Sequence, residues 1–286
     1  MLAQWFPARQ NALVDLGLHD RVYLVTGGSR GLGFAAAEVL VAEGARVVIS
    51  APHEATASSA AARLRDISVL PDAVAWVVAD NADPATPDRL LATAKDRFGG
   101  LDGALISVGG SPPGTVASTT DQAWRSAFES VFLGSVRLAR VLAMDVGGGP
   151  SGDRGGLGGT LAGVGLSIVF ILASSVRVPL GELAISNGLF PGLAGVVKTL
   201  AGEVGPHGIR VNGLLPVRIA TDRVRELDAL RGDPDQVRAH LSQSIPSRRY
   251  GEPEEFGRAA AFLLSPAASY ITGAMIPVDG GAIASI

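Results

Sequence analysis

Arg21-Val22-Tyr23-Leu24-Val25-Thr26-Gly27-Gly28-Ser29-Arg30-Gly31-Leu32-Gly33 is the stretch that decides the fold. Its opening, RVYLV, is rich in β-formers and reads as a strand. It runs straight into a glycine-rich turn, and helix formers follow from Phe34 to Glu43. Gly27, Gly31 and Gly33 let the backbone turn tightly and approach a pyrophosphate. A helix starting there offers free N–H groups and a positive dipole end to it. The spacing is G-x-x-x-G-x-G, which alone serves a structural turn as well as a binding loop. Its place between a strand and a helix favours binding.

Working outward, strand and helix patterns alternate. Gly44 stops the first helix, and further strands are expected at Ala45–Ser50, Ala73–Ala79, Leu101–Ser107, Leu166–Ala173, Ile209–Leu215 and Ala274–Val278. Helices are expected at Thr56–Ile67, Pro84–Phe98, Thr120–Met144, Leu183–Val204 and Pro253–Leu264, and Thr221–Leu241 reads as polar and partly helical. Near-continuous apolar strands imply a parallel sheet covered on both faces. The expectation is therefore α/β: one Rossmann-like, doubly wound domain over residues 21–286, with about seven parallel strands flanked by helices. Residues 1–20 read as an N-terminal extension. Residues 147–165 (GGGPSGDRGGLGGTLAGVG) read as a glycine-rich surface insertion, because such a tract loses too much entropy to pack as a helix.

Composition narrows the function. A chain of 286 residues buries roughly 75% of its unfolded surface, so it needs no staple to hold a core. Charged residues are 18%, hydrophobics 47%, and the net charge is -3. That balance argues against a nucleic-acid partner, which normally meets a basic face. The absence of cysteine excludes disulfides, thiolate chemistry and Cys-ligated zinc. His19, His53, His207 and His240 are scattered and make no metal-binding pair, so no metal is expected. The start of the chain lacks the basic and apolar regions of a signal peptide. The most apolar run, Leu161–Ala173, is too short for a span of about 20 residues. The reading is a cytoplasmic protein with no membrane partner.

Thr26-Gly27-Gly28-Ser29-Arg30-Gly31-Leu32-Gly33 resembles the T-G-x-x-x-G-x-G of the short-chain dehydrogenase/reductase family. Three more segments resemble that family in the same order. They are Asp80 after the third strand, Ile209-Arg210-Val211-Asn212 to Pro216, and Ser269-Tyr270-Ile271-Thr272-Gly273 to Val278-Asp279-Gly280-Gly281. The resemblance runs from about Leu16 to Gly281. It implies a nicotinamide cofactor, a small-molecule substrate and a homotetramer or homodimer. The cofactor contacts it implies are Thr26, Gly27, Ser29, Arg30, Gly31, Leu32, Gly33, Asp80, Asn81, Ser107, Gly109, Pro216, Ile219 and Thr221. An acid after the second strand would hold the ribose 2′-OH of NAD. That region reads Ser50-Ala51-Pro52-His53, whereas Arg30 stands in the turn where similar proteins meet a 2′-phosphate. NADP(H) is thus favoured over NAD(H).

The family's chemistry uses a Tyr proton donor, a Lys four residues on that lowers its pKa, a Ser that orients the carbonyl and an Asn in a proton relay. The tyrosines are Tyr23, Tyr250 and Tyr270, and the lysines Lys95 and Lys198, so no Y-x-x-x-K exists. Alignment on the fifth strand and following helix gives Ser175 the orienting role. It places the Tyr position at Ser186, the Lys position at Phe190 and the Asn position at Val131. The Ser175–Ser186 spacing is two residues shorter than the family's. Ser107-Val108-Gly109-Gly110 stands for the usual N-x-A-G, and Pro216-Val217 for Pro-Gly. The Gly109–Gly114 loop with Ser186-Asn187 is similar to a divergent branch that lacks the Tyr motif, though Phe190 departs even from that branch.

A serine hydroxyl is a far weaker acid than a phenol beside a cation. General acid–base help is worth about 10²–10⁴-fold, while positioning contributes separately. Asn187, Arg177 and Arg218 are placed near the same cleft, and an arginine there would stabilise an alkoxide. Arg218 also stands where it could meet an acidic substrate group. Two readings stay open: a divergent oxidoreductase with a non-standard proton path, and an inactive nucleotide-binding or scaffold homologue in an oligomer. A regulator or carrier that binds no nucleotide is a third.

Overall fold

The computed structural model describes residues 15–107, 109–110, 112–146 and 165–285. The glycine-rich tract, except Gly165, and most of the expected extension lie outside the described residues. Seven strands form one sheet: β1 (Val22–Val25), β2 (Arg46–Ala51), β3 (Val74–Val78), β4 (Gly103–Ile106), β5 (Ser167–Ile171), β6 (Arg210–Pro216) and β7 (Met275–Val278). Their order is β3-β2-β1-β4-β5-β6-β7, and every pairing is parallel. The order reverses between β1 and β4, which opens a crevice at their carboxyl ends. β1, β4 and β5 are buried at every position, which is why they read as unbroken apolar runs.

Helices cover both faces. On one side α1 (Gly31–Ala42), α2 (Glu54–Ile67) and α9 (Pro253–Leu264) bring Phe34, Leu40, Leu64, Phe256 and Leu263 against Tyr23, Ile49 and Val169. Leu18 joins this cluster and is buried, so the chain is part of the core before β1 begins. On the other side α3 (Thr86–Phe98), α5 (Gly134–Val146) and α6 (Ala184–Val204) bring Leu90, Leu138, Leu142 and Leu193 against Leu24, Ile106 and Phe170.

Two expected elements differ. The long helix from Thr120 does begin with Thr120 as N-cap, its hydroxyl accepting from the Ala123 N–H at 3.2 Å. It is not continuous α-helix: α4 (Asp121–Ala127) passes into a π turn over Phe128–Leu133 before α5. The wide turn leaves Gly134 against the Asn81 carbonyl, where a Cβ would overlap it. The polar stretch after β6 is two helices, α7 (Asp222–Ala229) and α8 (Pro234–Ser242). Asp233 separates them because its carboxylate accepts from the Asp235 and Gln236 N–H groups and so starts α8.

The Ile209–Asn212 segment has a structural use. Arg210 donates to the carbonyls of Leu263 (2.8 Å) and Ser265 (2.9 Å), which α9 leaves without intrahelical partners. Asn212 donates to the Ile271 carbonyl at 2.8 Å and accepts from the Ala274 N–H at 3.0 Å. Together they draw the chain from α9 back along β6 into β7.

Candidate functional site

The glycine turn sits at the point where strand order reverses. Gly27 (φ +60°) and Gly31 (φ +56°) both take left-handed backbone. A Cβ on Gly33 would lie 2.6 Å from the Gly27 carbonyl oxygen, so the turn closes on itself only with glycine there. Thr26 is buried. Its hydroxyl donates to the Ser107 carbonyl at 2.9 Å and accepts from the Ser107 N–H at 2.8 Å. Asn81 donates to the same carbonyl at 3.2 Å. The turn, Asn81 and Ser107 are therefore held at the ends of β1, β3 and β4, with Asp80 exposed beside them.

Helix α1 has no side-chain cap and no acid in its first turn. Its first N–H groups and dipole end are thus left for an anion. Arg30, the residue before α1, is exposed in extended backbone. Ser29 and Leu32 are half-buried, and Gly109 is exposed. At the end of β2, Ala51 is buried, while Pro52 and His53 are exposed. The first acid after β2 is Glu54, already within α2.

The segment after β6 comes across this crevice. Pro216 ends the strand, Ile219 is buried, and Thr221 N-caps α7. A Cβ on Gly31 would lie 3.9 Å from the Thr221 methyl group, and one on Gly110 would lie 3.0 Å from Arg223 Nε. The start of α7 therefore lies near both the glycine turn and the loop after β4.

Ser175 and Ser186 are brought together beyond β5. Ser175 lies in a 3₁₀ turn (Ser174–Val176), and its hydroxyl donates to the Ser186 carbonyl at 3.3 Å. Ser186 is buried in the first turn of α6. Phe190 and Val131 are buried in one hydrophobic cluster. Both positions therefore present hydrocarbon to their surroundings.

The three groups expected near the cleft are engaged elsewhere. Asn187 donates to the Leu180 carbonyl at 2.7 Å and accepts from the Leu180 N–H at 2.9 Å, which folds the short β5–α6 loop against its helix. Arg177 donates to the Met275 carbonyl of β7 at 3.2 Å. Arg218 pairs with Asp228 at 2.6 Å, an internal carboxylate in place of the expected substrate group. Tyr250 also donates to Asp228, at 3.0 Å, and burial pushes its phenol above the ordinary value. Nothing local in the sequence signals the Arg218–Asp228–Tyr250 set.

The loop after β4 completes the cleft wall. The Gly114 N–H donates to the Glu182 carbonyl at 2.7 Å and the Ala184 N–H to the Gly114 carbonyl at 3.0 Å. The Trp124 ring packs on α6, where a Cβ on Gly188 would lie 2.8 Å from it.

Residues 21–153 match the short chain dehydrogenase family and residues 163–282 match the enoyl-(acyl carrier protein) reductase family. Levodione reductase of Leifsonia aquatica is 33% identical over 272 residues, covering 92% of this chain and 94% of that protein. An uncharacterized oxidoreductase of Mycobacterium tuberculosis is 34% identical over 286 residues, covering 98% and 97%. The crystal structure of L-sorbose reductase from Gluconobacter frateurii, complexed with NADPH and L-sorbose, matches with a TM-score of 0.82 at 29% identity. The match covers 95% of this chain and 100% of that one.

Proposed function

The chain belongs to the short-chain dehydrogenase family, and from that premise we propose an NADP(H)-preferring oxidoreductase of small carbonyl or alcohol compounds with an altered proton path. One observation carries the nucleotide part. The glycine turn leads into an uncapped helix start with an exposed guanidinium beside it and no acid at the end of β2. A pyrophosphate fits the turn and helix end. A 2′-phosphate fits Arg30, where charge-assisted hydrogen bonds are available. Bound there, the nicotinamide would supply or accept the hydride.

The chain's own residues decide the rest. The Ser175 hydroxyl is the group placed to orient a substrate oxygen, exchanging its contact with the Ser186 carbonyl for the substrate. The oxygen that gains charge on reduction needs a proton. Ser186 is too weak an acid to give one readily, and Phe190 and Val131 have none to give. The proton then comes from water entering the cleft. Such a reaction keeps the benefit of positioning and forgoes that of general acid catalysis. We place the protein in the cytoplasm as a homodimer or homotetramer. Among the described residues no helix is long and apolar enough to cross a membrane.

Turnover is tested with NADPH against levodione, L-sorbose and related ketones. Slow oxidation of NADPH is expected, and Ser186→Tyr combined with Phe190→Lys should raise it about 10²-fold or more. The packing of Phe190 and Val131 into the core favours a second reading, a nucleotide-binding subunit without chemistry. NADPH binding with no turnover, even in the double variant, would select it.

A further inference from the structure

Helix α7 is held to the protein in an unusual way. Of its 8 residues one is buried, and that residue is Asp228. An ordinary surface helix docks through an apolar stripe. Here a carboxylate does it, accepting from Arg218 at 2.6 Å and from the Tyr250 hydroxyl at 3.0 Å. Two guanidinium groups lie over the Tyr250 ring, Arg218 at 5.8 Å and Arg238 at 5.3 Å from its centroid. Backbone contacts reinforce the set: the Gly251 N–H donates to the Arg218 carbonyl at 3.1 Å, and the Ala220 N–H to the Gly251 carbonyl at 2.8 Å. Arg218 holds a left-handed backbone (φ +51°), a cost that persists only where the surroundings impose it. A cavity of about 120 Å³ lined by Thr221, Val224, Asp228, Arg238 and Tyr250 lies within the same contact, so little apolar packing stands behind the helix.

The segment held this way matters because of its position. Thr221 and Arg223 lie near the glycine turn and the loop after β4, on the β4–β6 side of the crevice. A dinucleotide spans that crevice, with its adenine half over β1–β3 and its nicotinamide half over β4–β6. We propose that Arg218, Asp228 and Tyr250 form a buried latch that seats Ile219–Thr221 and the start of α7 over the nicotinamide half of the site. Asp228 and Tyr250 are then positioning residues for nucleotide binding. This inference rests on the nucleotide-binding reading above.

The test uses the full chain with Asp228→Asn and Tyr250→Phe, titrated with NADPH and with adenosine 2′,5′-bisphosphate, which carries the adenine half alone. Amide hydrogen exchange is followed in parallel. Each variant should bind NADPH about tenfold more weakly, the loss expected for a hydrogen bond to a charged group. Adenosine 2′,5′-bisphosphate should bind within about twofold of the unaltered protein. Exchange should quicken over residues 218–230 and nowhere else. Unchanged NADPH affinity in Tyr250→Phe, or equal weakening of both ligands, overturns the latch. Tyr250→Phe keeps the ring that both arginines approach, so it decides the matter if Asp228→Asn fails to fold. Failure of the unaltered protein to bind NADPH overturns the nucleotide reading and the latch's role with it.

Discussion

Gly33 and Arg30 carry opposite kinds of information. At Gly33 the fold requires an absence, since a Cβ would lie 2.6 Å from the Gly27 carbonyl. Gly33→Ala should cost about 1–3 kcal/mol of stability by overpacking. It should also weaken NADPH binding, read by urea melts and fluorescence titration. At Arg30 the proposed contact with a 2′-phosphate requires a charge. Arg30→Gln should weaken NADPH about tenfold by removing a charge-assisted contact, and leave NADH unchanged. The glycine positions were legible because the turn is contiguous in sequence. The Arg218–Asp228–Tyr250 set was not, because its members lie 10 and 22 positions apart along the chain. Arg218 read as a partner for an acidic substrate because the carboxylate it meets could be found only in three dimensions. Asn187 and Arg177 read as cleft residues for the same reason, their carbonyl partners being set by loop geometry.

Among the elements, α9 is secured at both ends. At its start the Glu255 carboxylate accepts two hydrogen bonds from Arg249, each 2.7 Å, and one from the Glu252 N–H at 2.8 Å. The Arg249 guanidinium, helped by that backbone N–H, holds the Glu255 carboxyl at about 2, down from an ordinary 4.5. A depressed folded value means the contribution is present above about pH 4.5 and lost as pH falls through about 2. Thermal midpoints of the unaltered protein and Glu255→Gln should therefore differ at pH 6 and converge near pH 2. The gap should be small, since this pair is exposed and screened. At its end α9 depends on Arg210. Arg210→Met would remove the guanidinium donors from the Leu263, Leu264 and Ser265 carbonyls, of which Leu263 keeps the Ser167 hydroxyl and Ser265 the Ala268 N–H, and should cost about 1–3 kcal/mol, read as a lower urea midpoint. The α9 limits were legible from Pro253 and the acids after it. The π turn was not, because its residues carry ordinary helix propensities and only the approach of Asn81 to Gly134 marks the place.

For the whole molecule, the alternation of apolar strands with helices was enough to specify a parallel sheet, because a buried parallel strand leaves no polar face to confuse the period. The strand order was not legible, because nothing local in the strands says which of them are neighbours. The proposed catalytic positions show the limit of that reading. Alignment found Ser175 and Ser186, and the structure brings them into contact. What the sequence could not give was the use of the neighbouring groups, which depends on carbonyls that only the folded chain brings near. At this scale the proposal includes self-association. β7 is an edge strand, and Tyr270 and Phe262 are exposed. Light scattering at micromolar concentration should therefore give the mass of a dimer or tetramer. A monomer would remove that part of the proposal.

The crevice between β1 and β4 is proposed to bind NADP(H) through the glycine turn and Arg30. Titration of the purified full chain with NADPH and, separately, NADH, followed by calorimetry, tests it most directly. Micromolar binding of NADPH and weaker binding of NADH are expected. Absence of binding by either nucleotide up to millimolar concentration would contradict it.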